Sequence, residues 1–179
     1  MTADFDPNSQ LLPEALVALA RRVVEANRAI GRRVALAESC TGGLVSAAIT
    51  EIPGSSAMFE TGFVTYSNEQ KQSILGVSGD VLETFGAVSI ATAWAMAQGA
   101  LERSGADIAV SITGVAGPDG GTDLKPVGTV VFARAERGAD NENIVADLRR
   151  FENEGRAKIR LQAALCALEL LLPEEPSGA

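Results

Sequence analysis

The chain has no histidine, two cysteines, and an aromatic complement of six Phe, one Tyr and one Trp among 179 residues. Without an imidazole, a Ser-His-Asp triad, a Cys-His pair within one chain and a histidine zinc site are all excluded. Cys40 and Cys166 lack the CxxC spacing of a thiolate zinc site or a thioredoxin-type motif. So few thiols fit a reducing cytoplasm. Cations are also scarce: 15 Lys and Arg face 23 Asp and Glu, for a net charge of −8. Nucleic acid and anionic membrane are poor partners for such a surface, because phosphate arrays are met by clustered Lys and Arg. No apolar run is long enough to span a bilayer, and no signal-like segment precedes the first helical pattern.

What is present suits one α/β domain. A 46% hydrophobic content in this length can bury one ordinary core, and eighteen glycines point to tight turns and close backbone approaches. Polar tails are expected at residues 1–10 and 173–179, leaving a single domain over 11–172. Leu16, Leu19, Ala20, Val23 and Val24 recur at helical spacing after Pro13. Val34 to Ala37 reads as a first strand and Leu44 to Ile52 as the helix after it, broken by Pro53-Gly-Ser-Ser56. Gly62 to Tyr66 reads as a second strand, followed by a short helix carrying Lys71. Ser78 and Ser89 are expected to cap two further helices. Ile108 to Ile112 has the continuous apolar character of a buried strand. Gly128 to Ala135 and Ile144 to Phe151 are two more, joined by Arg137-Gly-Ala-Asp-Asn141 as an antiparallel hairpin. A last helix runs from Arg156 to Leu172. The order α-β-α-β-α-α-α-β-β-β-α predicts a mixed, mostly parallel sheet sandwiched by helices in three layers, with a C-terminal antiparallel hairpin.

Ligands of open α/β sheets lie beyond the carboxyl ends of the strands. Three strand exits here are polar or glycine-rich: Glu38-Ser-Cys-Thr-Gly-Gly43, Tyr66-Ser-Asn-Glu-Gln-Lys71 and Thr113-Gly-Val-Ala-Gly-Pro118. If the three strands are parallel neighbours, these loops converge. A hydroxyl at the first exit serves as a nucleophile, a phosphate ligand or a helix cap. Serine needs a base, and without histidine the candidates are Lys, Tyr or a carboxylate. Tyr66 and Lys71 stand five residues apart at the second exit, and a desolvated lysine loses charge stabilisation and can accept a proton. The plain alternative makes Lys71 a solvated helix residue and Tyr66 a core aromatic. The third loop matches neither Walker A nor GxGxxG, and reads as an anion cradle or an ordinary turn. Arg156 and Arg160 are the natural cations for a phosphate, or surface residues. Cys166 reads as a small buried hydrophobe.

Six pieces taken in order, Ala37-Glu-Ser-Cys-Thr-Gly-Gly43, Pro53-Gly-Ser-Ser56, Gly62-Phe-Val-Thr-Tyr-Ser-Asn-Glu69 with Lys71, Gly86-Ala-Val-Ser89, Ser111-Ile-Thr-Gly-Val-Ala-Gly-Pro-Asp-Gly-Gly121 and Lys125-Pro-Val-Gly-Thr129, resemble the CinA C-terminal domain family. Its enzymatic members are nicotinamide mononucleotide amidohydrolases. The resemblance implies deamidation of nicotinamide mononucleotide in pyridine-nucleotide salvage, without metal or cofactor, by a stand-alone and homodimeric form. It implies Ser39 as nucleophile, with Tyr66 and Lys71 activating it and protonating the departing ammonia, and amides at the following helix start holding the oxyanion. Glu38, Cys40, Thr41, Gly42, Gly43 and Asn68 would line the substrate site from the first two exits. Thr113, Gly114, Ala116 and Gly117 would line it from the third, with Arg156 and Arg160 completing it. The family's Phe-x-Gly-Asp-Arg opening of the last helix here reads Phe151-Glu-Asn-Glu-Gly-Arg156, with the glycine shifted and the aspartate missing. Two alternatives remain: a non-catalytic nucleotide-binding module linked to competence or DNA damage, and an enzyme whose nucleophile is Cys40.

Overall fold

The computed structural model describes residues 10–139 and 145–173. Most of the two expected tails, Asp140 and Asn141 of the expected hairpin turn, and Ile144 of the expected strand lie outside those residues. The elements follow the expected order. Helix α1 is Glu14–Ala29, β1 is Val34–Glu38, α2 is Leu44–Thr50, and a 3-10 turn, Ser55–Ala57, leads into β2, Phe59–Val64. Then come α3, Asn68–Leu75; α4, Gly79–Phe85; α5, Ile90–Arg103; β3, Ile108–Gly114; β4, Thr129–Glu136; β5, Val145–Arg150; and α6, Arg156–Leu170.

The strands form one sheet in the order β2-β1-β3-β4-β5. β1 pairs in parallel with β2 and β3, while β4 runs antiparallel to β3 and β5. Four strands thus point one way and β4 the other. Helices cover both faces, because alternate residues of the central strands are apolar on each side. Leu36, Val110, Ile112 and Phe132 pack with Leu16, Val23, Ile49 and Ile159 of α1, α2 and α6. On the other face Ala35, Ala37, Ala109 and Ala133 meet Ala93, Met96 and Ala97 of α5. Small residues on both partners let α5 lie close. Gly99 carries this furthest, since a Cβ there would collide with the Leu75 carbonyl of α3.

Some boundaries differ from expectation for local reasons. β2 begins at Phe59 and stops at Val64; beyond it the Thr65 N–H still reaches the Glu38 carbonyl at 2.9 Å, but the carbonyls of Thr65 and Tyr66 turn toward Lys71. α2 stops at Thr50, two residues early, where the Ile52 N–H bonds back to Ile49 in a tighter turn before Pro53. α6 ends at Leu170 in the same way, with Leu171 and Leu172 bonded to Leu168 and Glu169. Ser89 caps α5 through its Oγ, which accepts from the Thr92 N–H at 3.1 Å; Ser78 takes the cap position of α4 without a side-chain bond. No helix among the described residues is long and apolar enough to cross a membrane.

The two ends of the sheet differ. At the end where β1 and β3 begin, the Arg33 N–H donates to Asp107 Oδ2 at 2.8 Å, and the Arg137 guanidinium donates to the carbonyls of Ala106 and Leu101. At the opposite end the exits of β1, β2 and β3 lie side by side, as parallel neighbours require.

Candidate active site

The first exit turns sharply. The Ser39 N–H extends the β1–β3 ladder by donating to the Ile112 carbonyl at 2.9 Å. Gly42 and Gly43 then take φ of 61° and 89°, the left-handed region that glycine enters without steric cost. At the second exit Ser67 caps α3 by accepting from the Gln70 N–H at 3.2 Å, and one turn later Lys71 points inward. Lys71 is 1% exposed and Ser39 is 7% exposed. Lys71 Nζ lies 3.0 Å from Ser39 Oγ, 2.9 Å from the Thr65 carbonyl and 3.3 Å from the Tyr66 carbonyl.

Nζ donates to these three oxygens, a set that suits its charged form. Burial works the other way, pushing the Lys71 amine below the usual lysine range. On losing a proton the amine keeps two N–H bonds for the carbonyls and can turn its lone pair to the Ser39 hydroxyl. A solvated Lys71 is therefore not what the fold builds.

Cys40 is 5% exposed and belongs to the core on the α1, α2 and α6 face. Burial pushes its thiol up to about 11, with Glu38 adding to the rise. Such a thiol is protonated at neutral pH and unsuited to nucleophilic attack.

Glu38 has a place that its expected contact with substrate did not anticipate. It is fully buried, and its carboxylate accepts from the N–H groups of Gly43 (2.9 Å), Val45 (3.2 Å) and Ser46 (2.9 Å) and from Ser46 Oγ (2.7 Å). The amides at the start of α2, expected to hold an oxyanion, are occupied by this side chain. Gly42 and Leu44 donate to the carbonyls of Ser39 and Thr41. The Cys40 N–H is directed to its own thiol, and among the described residues no backbone carbonyl meets the N–H of Cys40 or Thr41.

The third exit is joined to the second by one cation. Arg156 opens α6 after Gly155, whose φ is 98°, and donates from Nη1 to the Gly117 carbonyl at 2.8 Å and from Nη2 to Tyr66 Oη at 3.0 Å. Tyr66 is 60% exposed; its carbonyl faces Lys71 while its hydroxyl faces Arg156. Thr113 is buried and its Oγ1 donates to the Ala87 carbonyl at 2.8 Å. Gly114 lets β3 and β4 approach, because a Cβ there would lie 2.8 Å from the Thr129 carbonyl, and Gly117 similarly makes room for Val127. Ala116 is buried in the core. Asn68 is exposed in the first turn of α3. Arg160 donates to the Thr41 carbonyl at 2.7 Å, and Thr41 itself is buried. A cavity of about 520 Å³ lies beside this contact, lined by Pro13, Leu44, Ala157, Lys158, Arg160 and Leu161. Ser39, Tyr66 and Lys71 do not line it.

One contributor escaped the sequence reading. Ser46 is the fourth donor to Glu38, and Gly62 of β2 leaves the space its hydroxyl fills, since a Cβ at 62 would collide with Ser46 Oγ. A serine in the first turn of a helix carries no chemical motif, so only the fold discloses it. The piece Gly86–Ser89, already noted in the sequence, is held by Thr113 on the Ala87 carbonyl and by Thr92 on the Gly86 carbonyl at 2.7 Å.

Comparison with known proteins follows the same lines. The family model described as the CinA C-terminal domain matches residues 16–174. A protein of Escherichia coli K12 named nicotinamide-nucleotide amidohydrolase PncC is 50% identical over 156 residues, which make up 87% of this chain and 92% of that one. A putative competence-damage inducible protein of Symbiobacterium thermophilum is 63% identical over 108 residues, 60% of this chain but only 25% of that longer protein. The crystal structure of the competence/damage inducible protein CihA from Agrobacterium tumefaciens matches with a TM-score of 0.87 at 48% identity, covering 91% of this chain and 97% of that one. With its sequence matched almost end to end and its fold shared at that identity, the chain belongs to the CinA C-terminal domain family.

Proposed function

We propose that the protein hydrolyses the carboxamide of nicotinamide mononucleotide to nicotinate mononucleotide and ammonia, through an ester on Ser39. The observation that carries this reading is the buried contact between Lys71 Nζ and Ser39 Oγ at 3.0 Å. The named activity of the Escherichia coli relative supports the substrate. Ser39 Oγ attacks the carboxamide carbon while its proton passes to the Lys71 amine. The carbonyl electron pair moves onto oxygen, held by the amides of Thr41 and of Cys40, the latter turning from its own thiol; a good donor of this kind is worth roughly 3–4 kcal/mol. As the carbon–nitrogen bond breaks, the ammonium of Lys71 returns its proton to the leaving nitrogen, and ammonia departs. A water molecule then gives a proton to Lys71 and attacks the ester, and Ser39 Oγ leaves with that proton.

Lys71 thus serves as base and then acid in each half of the reaction. Tyr66, whose hydroxyl bonds to Arg156, sits at the mouth rather than in the proton path. Arg156, exposed and bridging the second and third exits, is the cation assigned to the phosphate, with Arg160 behind the Ser39 turn. A homodimer acting in the cytoplasm in pyridine-nucleotide salvage belongs to the same proposal.

The test is ammonia release from nicotinamide mononucleotide by the purified protein, with Ser39→Ala alongside and free nicotinamide and NAD as comparison substrates. Release that vanishes in the variant is expected. A folded protein that binds the nucleotide and releases nothing would instead favour the binding-module reading.

A further inference from the structure

A fully buried carboxylate is costly unless its oxygens are hydrogen-bonded. Glu38 meets that demand with four donors, two on each oxygen: Gly43 and Val45 on Oε2, and the N–H and hydroxyl of Ser46 on Oε1. All four come from the turn and helix that immediately follow the serine. The residue next in the chain is Ser39, itself pinned by the Ile112 carbonyl, and the Thr41 carbonyl is pinned by Arg160. The anchor also reaches β2, because the Ser46 hydroxyl fills the space beside Gly62. Three elements are thus locked together around one carboxylate, a single residue away from the proposed nucleophile.

We infer that Glu38 is a positioning residue: it fixes the Ser39 turn against α2 and occupies the Gly43, Val45 and Ser46 amides, leaving the Cys40 and Thr41 N–H groups as the oxyanion donors. It touches no reacting atom, and the inference rests on Ser39 being the nucleophile. Glutamine has the same shape but only one acceptor oxygen. In Glu38→Gln its NH₂ faces either the Gly43 and Val45 N–H groups, which both lose their acceptor, or the Ser46 pair, where the hydroxyl can turn to accept but the N–H is left unpaired. The turn relaxes, and small displacements of a reacting group are expensive in rate.

The experiment follows the rate at which a fluorophosphonate probe labels Ser39, read by intact-protein mass spectrometry, alongside kcat and KM for nicotinamide mononucleotide and a thermal melt. Labelling reads the serine and its oxyanion donors whatever the natural substrate is. A wild-type protein that labels but leaves the nucleotide intact defeats the substrate reading and leaves this inference to the labelling rates. A wild-type protein that does neither defeats both. For Glu38→Gln the expected result is labelling and kcat each reduced by about tenfold or more, with KM within about twofold. Labelling and kcat at the wild-type level per folded molecule, even with a lower Tm, would reduce Glu38 to a stability residue and overturn the inference. Should Glu38→Gln give no cooperative melt, Ser46→Ala decides, since it removes one donor and keeps the three amides. A fall of about threefold in labelling at unchanged KM is expected there, and wild-type labelling overturns the inference.

Discussion

Lys71 Nζ and Ser39 Oγ, 32 positions apart in the chain, meet at 3.0 Å, and both side chains are buried. The contact exists because β1 and β2 are parallel neighbours, so the turn after one and the first turn of α3 after the other face the same space. Nζ donates to the Thr65 and Tyr66 carbonyls as well, so once the amine is neutral its lone pair is left for the hydroxyl.

A lysine acting as base is not replaceable by another cation. Lys71→Arg should lower kcat by about 10²–10⁴-fold, since guanidinium keeps its proton and general-base contributions are of that size. Steady-state ammonia release at pH 8 measures it. Activity within about tenfold of wild type would remove Lys71 from the proton path.

The pH dependence has a definite sign. Burial lowers the Lys71 amine in the folded state, so kcat/KM should rise with pH through that lowered value and then level off. Stability follows the same group. Below the folded value, lysine is charged in both states and the cost of burying it is fully present. Between the folded and unfolded values the unfolded chain binds more protons, so stability rises with pH. Wild-type Tm should therefore gain on that of Lys71→Met between pH 6 and pH 9. A constant difference, or a flat kcat/KM profile, counts against a neutral Lys71.

The thiol beside the serine should be a spectator. Cys40 is held protonated at neutral pH by burial, so Cys40→Ala should keep kcat within about twofold while losing on the order of 1 kcal/mol of stability from the small cavity left in the core. Ser39→Ala with Cys40 retained should show no burst of ammonia. A burst in that variant would transfer the nucleophile to Cys40.

Much of the site was legible before the fold. Periodicity placed the strands and helices in order, and the missing histidine directed the search for a base to the polar segment holding Lys71. Other parts were not legible, because they depend on where side chains point rather than on where residues fall. Tyr66 belongs to the same short segment as Lys71, yet its hydroxyl turns to Arg156, 90 residues away. Glu38 reads as one polar residue in a polar loop; only the turn made by Gly42 and Gly43 brings the amides of α2 back onto its carboxylate. The glycine loop after β3 looks like an anion cradle, but Gly114 and Gly117 make room for neighbouring protein atoms. Glycine spacing alone does not separate close approach to a ligand from close approach to a strand.

The Tyr66–Arg156 pair supplies its own test. If the tyrosine hydroxyl orients the arginine rather than moving a proton, Tyr66→Phe and Arg156→Ala should each raise KM by a few-fold to about tenfold with smaller changes in kcat, and the double variant should be little worse than Arg156→Ala. A fall in kcat of about 10²-fold or more in Tyr66→Phe at unchanged KM would return the tyrosine to the proton path.

The two ends of the sheet carry separate duties. Arg33, Asp107 and Arg137 tie together the strands where β1 and β3 begin, while the proposed chemistry gathers where those strands finish. Such a chain can be diversified at one pole without loosening the other. A library confined to the exposed positions of the exits, Asn68 among them, would search for new amide substrates on a scaffold whose far end keeps the strands in register. Random mutagenesis spread over the whole gene would spend most of its variants on the fold.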